Sequence, residues 1–209
     1  MEIKIVIFAL SKTCLNVLML REKAPTSPRR FSLPWGLLEP HETLEMATQR
    51  IYCGVVALEN IFLEQTQTFV YPVVTSEQQR IQILYSALVN RNKCPIESYP
   101  LTHEKKWFPV STLPGIQAPD SNYVTIALKK LQEKVRYQPI GIYQLPEVFE
   151  LPELQKVYEM ILGKRLDQDL FRSKIYGTDL LIPLSEKGTY RFNVKRYFDL
   201  KQKGFYLNI

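Results

Sequence analysis

Near the start of the chain Ile3, Ile5 and Ile7 alternate with polar or smaller neighbours, the period of two that predicts a strand. The runs "CLNVLMLRE", "NIFLEQTQTFVYPV" and "RIQILYSALVN" read the same way. One segment among them keeps a different period. Leu44, Ala47, Ile51, Val55 and Leu58 recur at three- and four-residue steps and predict a helix. "HEKKWFPV" is a further strand, and a proline-marked loop then leads to an amphipathic helix over Ser121 to Arg136. A helix set among strands indicates an α+β or layered α/β domain.

Prolines 139, 146 and 152 discourage continuous regular structure and predict a linker. The domains are therefore expected at 1–138 and 139–209. Beyond the linker, Leu151, Leu154, Tyr158, Ile161 and Leu162 form one helical face, and Gly163 is a natural stop. After the short turn "KRL", Asp167 is a good N-cap for a second helix, "QDLFRSKIY", which Gly177 ends. "LLIPL", "SEKG" and "TYRFNV" then read as a β-hairpin.

Two short helices and a hairpin make a helix-turn-helix with a wing, whose second helix enters the major groove of DNA. Leu170, Phe171 and Ile175 are expected to pack inward. Gln168, Asp169, Arg172 and Ser173 then face outward as candidate base readers. Lys164, Arg165, Lys174, Lys187 and Arg191 are candidate phosphate contacts.

Composition narrows the class. The 209 residues, 45% hydrophobic and 23% charged, suit one large or two modest folded domains and argue against a disordered chain. The longest apolar runs are far below the roughly 20 residues needed to cross a bilayer, so no membrane span is expected. The N-terminus lacks the basic leader and small-residue cleavage site of a signal peptide. Cys14, Cys53 and Cys94 are odd in number and widely spaced, which suggests neither disulfides nor a zinc site. They read as reduced thiols of a cytoplasmic protein. Residues 151–209 hold eleven Lys or Arg against seven Asp or Glu, a net charge of +4, and residues 1–138 hold sixteen against twelve. Per residue the C-terminal third is the more basic, which permits a polyanionic partner.

The stretch "LPWGLLEPHETLEMATQRIYCGVVAL" (33–58) carries more specific chemistry. It resembles the signature of Nudix hydrolases at Gly36, at Glu42 after five residues and at Arg50 after seven more. That signature continues with glutamates spaced to gather Mg²⁺ on one helix face. Here the three acidic positions hold Ile51, Gly54 and Val55. No catalytic residue, metal ligand or cofactor is therefore expected.

Taken with "IFLEQTQTF", "KKWFPVSTLPGIQAPD", "LPELQKVYEMILGKRLDQDLFRSKI" and "TYRFN", the chain resembles the Nudix-related transcriptional regulators of the NrtR type along nearly its full length. The resemblance implies an α+β chain: a Nudix-like mixed sheet with flanking helices, followed by a winged helix-turn-helix domain. It further implies a homodimer on palindromic double-stranded operator DNA, answering to a small effector such as ADP-ribose, another nucleotide or a sugar. Arg29 and Arg30 offer themselves to phosphates, and Phe31 or Trp35 to a ring. Glu39 and Glu42 complete the candidate effector set. A loop with two exposed arginines and no ligand is the other reading of that segment. A residual hydrolase of nucleoside diphosphate derivatives and a metabolite-binding module that does not touch DNA are the competing functions.

Overall fold

A computed structural model of the chain describes residues 1–23, 30–56, 63–72, 79–90, 103–113, 119–140, 144–186, 188–203 and 206–207. The alternating N-terminal segment is β1 (Glu2–Leu10). It pairs in parallel with β5 (Gln79–Asn90) over its whole length, Glu2 opposite Gln82 through Leu10 opposite Asn90. The other edge of β1 is shared. Its first residues pair with β3 (Trp35–Leu37) and its last with β2 (Leu15–Glu22). Outside these, β4 (Glu64–Pro72) flanks β5 and β6 (His103–Pro109) flanks β2, giving the order β4-β5-β1-β2-β6. Four of the predicted runs and "HEKKWFPV" thus form strands. The three residues of β3, centred on Gly36, are too few to show alternation and were not expected.

Cross-strand register decides what the sheet buries, because directly opposed residues point to the same face. Ile3, Ile5 and Ile7 stand opposite Ile83, Tyr85 and Ala87. With Ala47, Ile51 and Tyr52 they belong to one apolar cluster, so this face is covered by α1 (Leu44–Cys53). Thr43 caps α1, its hydroxyl accepting from the Met46 amide at 3.2 Å. The helix is shorter than its apolar periodicity predicts. Gly54 and the two β-branched valines after it have low helix propensity, so Val55 lies beyond the cap although buried; Leu58 lies outside the described residues.

Packing divides the chain into Met1–Ala127 and Leu128–Ile209. The helix α2 (Asp120–Tyr137) contributes to both units. In the second, α3 (Leu151–Leu162) starts with Pro152 in its first turn and ends at Gly163, whose φ of 69° is the left-handed cap that glycine takes readily. Asp167 caps α4 (Gln168–Tyr176), accepting from the Leu170 amide at 2.8 Å. The strands β7 (Phe149–Glu150), β8 (Leu181–Pro183) and β9 (Thr189–Phe192) form a sheet in the order β7-β9-β8, followed by α5 (Val194–Lys203).

This unit corrects two expectations. The proline-rich linker contains β7, fixed by pairing with β9 and by the Phe149 ring 4.6 Å from that of Phe192; two residues are too short for a sequence pattern. Leu170, expected to pack inward, is 51% exposed. Phe171 and Ile175, four residues apart, already close the inner face, with the Phe171 ring edge-on to Tyr158 at 5.4 Å. Among the described residues, no helix is long and apolar enough to cross a membrane.

Candidate functional site

Burying Phe171 and Ile175 turns the opposite side of α4 to solvent. Gln168, Asp169, Arg172 and Ser173 are all exposed there, as is Leu170, and Lys174 is exposed on the same helix. Lys164 and Arg165 are exposed on the turn before α4, and Arg191 on β9. Lys187 lies outside the described residues. The Arg172 guanidinium lies over the Tyr176 ring at 5.6 Å, and the Tyr176 hydroxyl meets that of Tyr190 on β9 at 2.5 Å.

The turn between α3 and α4 is built by side chains of α3. Glu159 accepts from the Leu166 amide at 2.8 Å, and Gln155 donates to the Leu166 carbonyl at 3.0 Å and to Glu159 at 3.0 Å. Both backbone groups of Leu166 are thus satisfied, which fixes where the second helix starts. Sequence reading missed this pair; their spacing of four on the polar side of α3 was the available signal.

In the first unit, the residues that match the Nudix signature support one another. Arg50 donates to both carboxylate oxygens of Glu42, at 2.6 and 2.8 Å, and to the Leu37 carbonyl at 2.9 Å. Glu39 is 3.3 Å from Arg50 and donates its amide to Glu42 at 3.1 Å. The hydrogen bond from Arg50 holds the Glu42 carboxyl well below its ordinary range, at about 2. Glu39 and Glu42 are therefore tied into the loop before α1. Ile51 and Val55 are buried in the apolar cluster. Among the described residues, no group of three His, Cys, Asp or Glu is placed to share one metal ion.

The opposite face of the sheet carries a cleft of about 460 Å³, lined by Glu2, Lys4, Tyr71, Pro72, Arg80, Gln82, Pro119 and Tyr123. Its floor is a connected polar network. Lys4 and Asp120 form an ion pair at 2.5 Å with side chains 11% and 10% exposed, and Asp120 also accepts from the Leu33 amide at 2.9 Å. Tyr123 donates to Gln82, which donates to Glu2 at 2.6 Å. With its own proton so used, Tyr123 receives that of Tyr71 across 2.9 Å. Burial, reinforced by the Tyr71 hydrogen bond, pushes the Tyr123 phenol up and keeps it neutral.

Phe69 joins the two tyrosines, its ring 6.1 Å from Tyr71 and nearly parallel to it, and 5.1 Å from Tyr123. Arg80 is opposite Tyr71 in the β4–β5 ladder, so it shares that face. Of the candidate effector residues, Trp35 comes to this side: it is opposite Lys4 and 55% exposed. Phe31 instead packs on Phe108 at 4.8 Å and under the Arg21 guanidinium. Arg30 is exposed, and Arg29 lies outside the described residues. The cleft residues were missed, though Glu2 and Lys4 left a trace. They make one end of the β1 face polar, where Val6 and Phe8 continue it as apolar.

Residues 141–193, which include the capped α4 and its hairpin, match the family of NrtR DNA-binding winged helix domains. The chain is NrtR-like. A relative from Acinetobacter baylyi, the ADPR responsive transcriptional repressor NtrR, is 24% identical over 179 residues, 84% of this chain and 71% of that protein. NrtR of Shewanella oneidensis shares the fold over 100% of this chain and 99% of its own, at 24% identity and a TM-score of 0.78. Its crystal form with a 27mer DNA matches at 25% identity, 95% of each chain and a TM-score of 0.75. The NUDIX domain of that protein, crystallised with ADP ribose, matches 62% of this chain with 86% of its own, at 19% identity and a TM-score of 0.51. The architecture is thus a Nudix-like mixed sheet with flanking helices, followed by a winged helix-turn-helix.

Proposed function

We propose that this NrtR-like chain is a ligand-responsive transcriptional repressor that binds palindromic operator DNA as a homodimer in the cytoplasm. The observation that carries this reading is α4. Its start is capped by Asp167, its inner face is closed by Phe171 and Ile175, and its outer face presents Gln168, Asp169, Arg172 and Ser173 to solvent. A helix so placed reads base edges from its N-terminal residues. Gln168 suits adenine, Arg172 guanine and Asp169 the amino group of cytosine, and exposed Leu170 suits a thymine methyl. Lys164, Arg165, Lys174 and Arg191 supply phosphate contacts, with Lys187 a further candidate from the sequence alone.

The effector enters the cleft of the first unit. Tyr71, 39% exposed, offers a face for a planar ring, and Trp35 stands on the same side of the sheet. Arg80 is exposed at the rim for a phosphate. The responsiveness of the Acinetobacter relative to ADPR makes ADP-ribose the first compound to try. Hydrolysis is not the role of this domain: Ile51, Gly54 and Val55 replace the metal-holding acids, and Glu42 is committed to Arg50. A hard divalent cation has no oxygen cluster to hold it there.

Fluorescence anisotropy tests the reading directly. A labelled duplex enriched from a random-sequence pool by the protein is titrated beside a scrambled duplex, with and without ADP-ribose, NAD and simple sugars. Tight binding of the enriched duplex alone, relieved by one compound, is the expected result. Equal, weak, salt-sensitive binding of both duplexes sinks it.

A further inference from the structure

Arg172 does not stand alone on α4. Arginine has many rotamers, and a base reader that must be frozen on binding loses affinity to that ordering. Here its guanidinium lies over the Tyr176 ring, one turn further along the helix, at 5.6 Å. Tyr176 is itself held from outside the helix, because its hydroxyl pairs with that of Tyr190 at 2.5 Å and the two rings lie 6.0 Å apart.

Tyr190 is well anchored. It sits on β9, the middle strand of its sheet, opposite Phe149 of β7 and Pro183 of β8. The chain of contacts therefore runs from the hairpin, through two phenols, to the arginine on the outer face of the recognition helix.

We propose that Tyr190 and Tyr176 are positioning residues for DNA recognition, which hold the Arg172 guanidinium in the orientation that reads one base pair. The claim rests on the DNA-reading function proposed above and adds to it a specificity device in residues not expected to touch a base. Tyr190 is the cleaner probe: Tyr190→Phe removes only the hydroxyl that anchors Tyr176, and leaves the ring beneath Arg172 in place. Tyr176→Phe is the second probe, since it keeps the ring beneath Arg172 and loses the same hydrogen bond. Thermal unfolding checks that both variants fold.

The test uses the duplex that the full-length wild-type protein enriches from a random pool, a scrambled duplex, and repeat enrichment with each variant. Loss of one hydrogen bond gives an expected weakening of about 3- to 10-fold on the enriched duplex, with the scrambled duplex unaffected. Tyr190→Phe should relax preference at the same base pair as Arg172→Ala, and add less than about twofold when introduced into Arg172→Ala, since coupled residues are not additive. An equal loss on both duplexes would place the phenols on phosphates and overturn the proposal. Full additivity with Arg172→Ala would overturn it as well. If the wild type enriches no sequence, the DNA-reading function itself falls; an enriched sequence indifferent to Tyr190→Phe removes this inference alone.

Discussion

Glu42 is a carboxylate whose hydrogen bonds all stay within its own loop and helix. Both its oxygens serve the loop before α1 through Arg50 and the Glu39 amide, and the Arg50 hydrogen bond lowers its pKa from 4.5 to about 2. A carboxyl depressed in the folded state stabilises above its unfolded pKa, and that contribution is lost as pH falls through the folded value. The difference in urea midpoint between wild type and Glu42→Gln should be largest above pH 4.5 and close toward pH 2; a constant difference across that window contradicts the assignment. Gly36 is held by a different constraint. A Cβ there would lie 2.8 Å from Cγ1 of buried Ile51, so Gly36→Ala should cost about 1–3 kcal/mol by overpacking. Chemical denaturation measures this, and Ile51→Ala in the same chain should recover part of it. Leu170 supplies the reverse case. Exposed as it is, Leu170→Ala should change stability by no more than about 0.5 kcal/mol while weakening binding to the enriched duplex. A loss of about 2–5 kcal/mol, the size seen for buried leucine, would return it to the interior.

Between elements, the turn from α3 to α4 sets where the reading helix begins. Leu166 makes no claim on DNA, yet its amide and carbonyl are held by Glu159 and Gln155, and through them the start of α4 is fixed relative to α3. Glu159→Ala leaves the Leu166 amide without its acceptor and Gln155 with only its bond to the Leu166 carbonyl. DNA affinity should fall by about 5- to 10-fold, the scale of one or two lost hydrogen bonds, although Glu159 is on α3 rather than on the reading face. Anisotropy against the enriched duplex decides it, and unchanged affinity would show that the turn holds without its side chains. This scale also explains what the sequence could and could not reveal. The helix-turn-helix was legible because its signals are local: a left-handed glycine at 163, an aspartate cap at 167 and apolar spacing of three and four. The strands of the first unit were legible from alternation. The cleft was not, because Glu2, Tyr71, Arg80 and Tyr123 are distant in sequence and meet only through the pairing of β1 with β5, β5 with β4, and the Tyr123–Gln82 bond. Leu170 was misread because inward-facing periodicity fixes the centre of an apolar stripe better than its margin.

For the whole molecule, the sensing and reading functions meet in one requirement. A ligand alters DNA affinity only by its different affinity for the DNA-competent and DNA-incompetent states. The helix α2 is common to both units. Its first turns supply Asp120 and Tyr123 to the cleft and its network, and further along it Gln132 donates to the Ile161 and Leu162 carbonyls at the end of α3, at 3.0 and 3.3 Å. An effector that reorders the Tyr71–Tyr123–Gln82 network thus acts on the first turns of α2. Such coupling is reciprocal. If ADP-ribose weakens DNA binding by a given factor, commonly about 5- to 150-fold, saturating DNA must weaken ADP-ribose binding by the same factor. Calorimetric titration of ADP-ribose into the free protein and into the protein–DNA complex measures one arm, and anisotropy with and without ADP-ribose measures the other; the two factors should agree. Tyr71→Ala and Arg80→Ala should abolish both arms together while DNA affinity without ligand stays within about twofold of wild type. A response to ADP-ribose that survives both substitutions would move the effector out of this cleft, and unequal factors in the two arms would show that the titrations do not report one linked equilibrium.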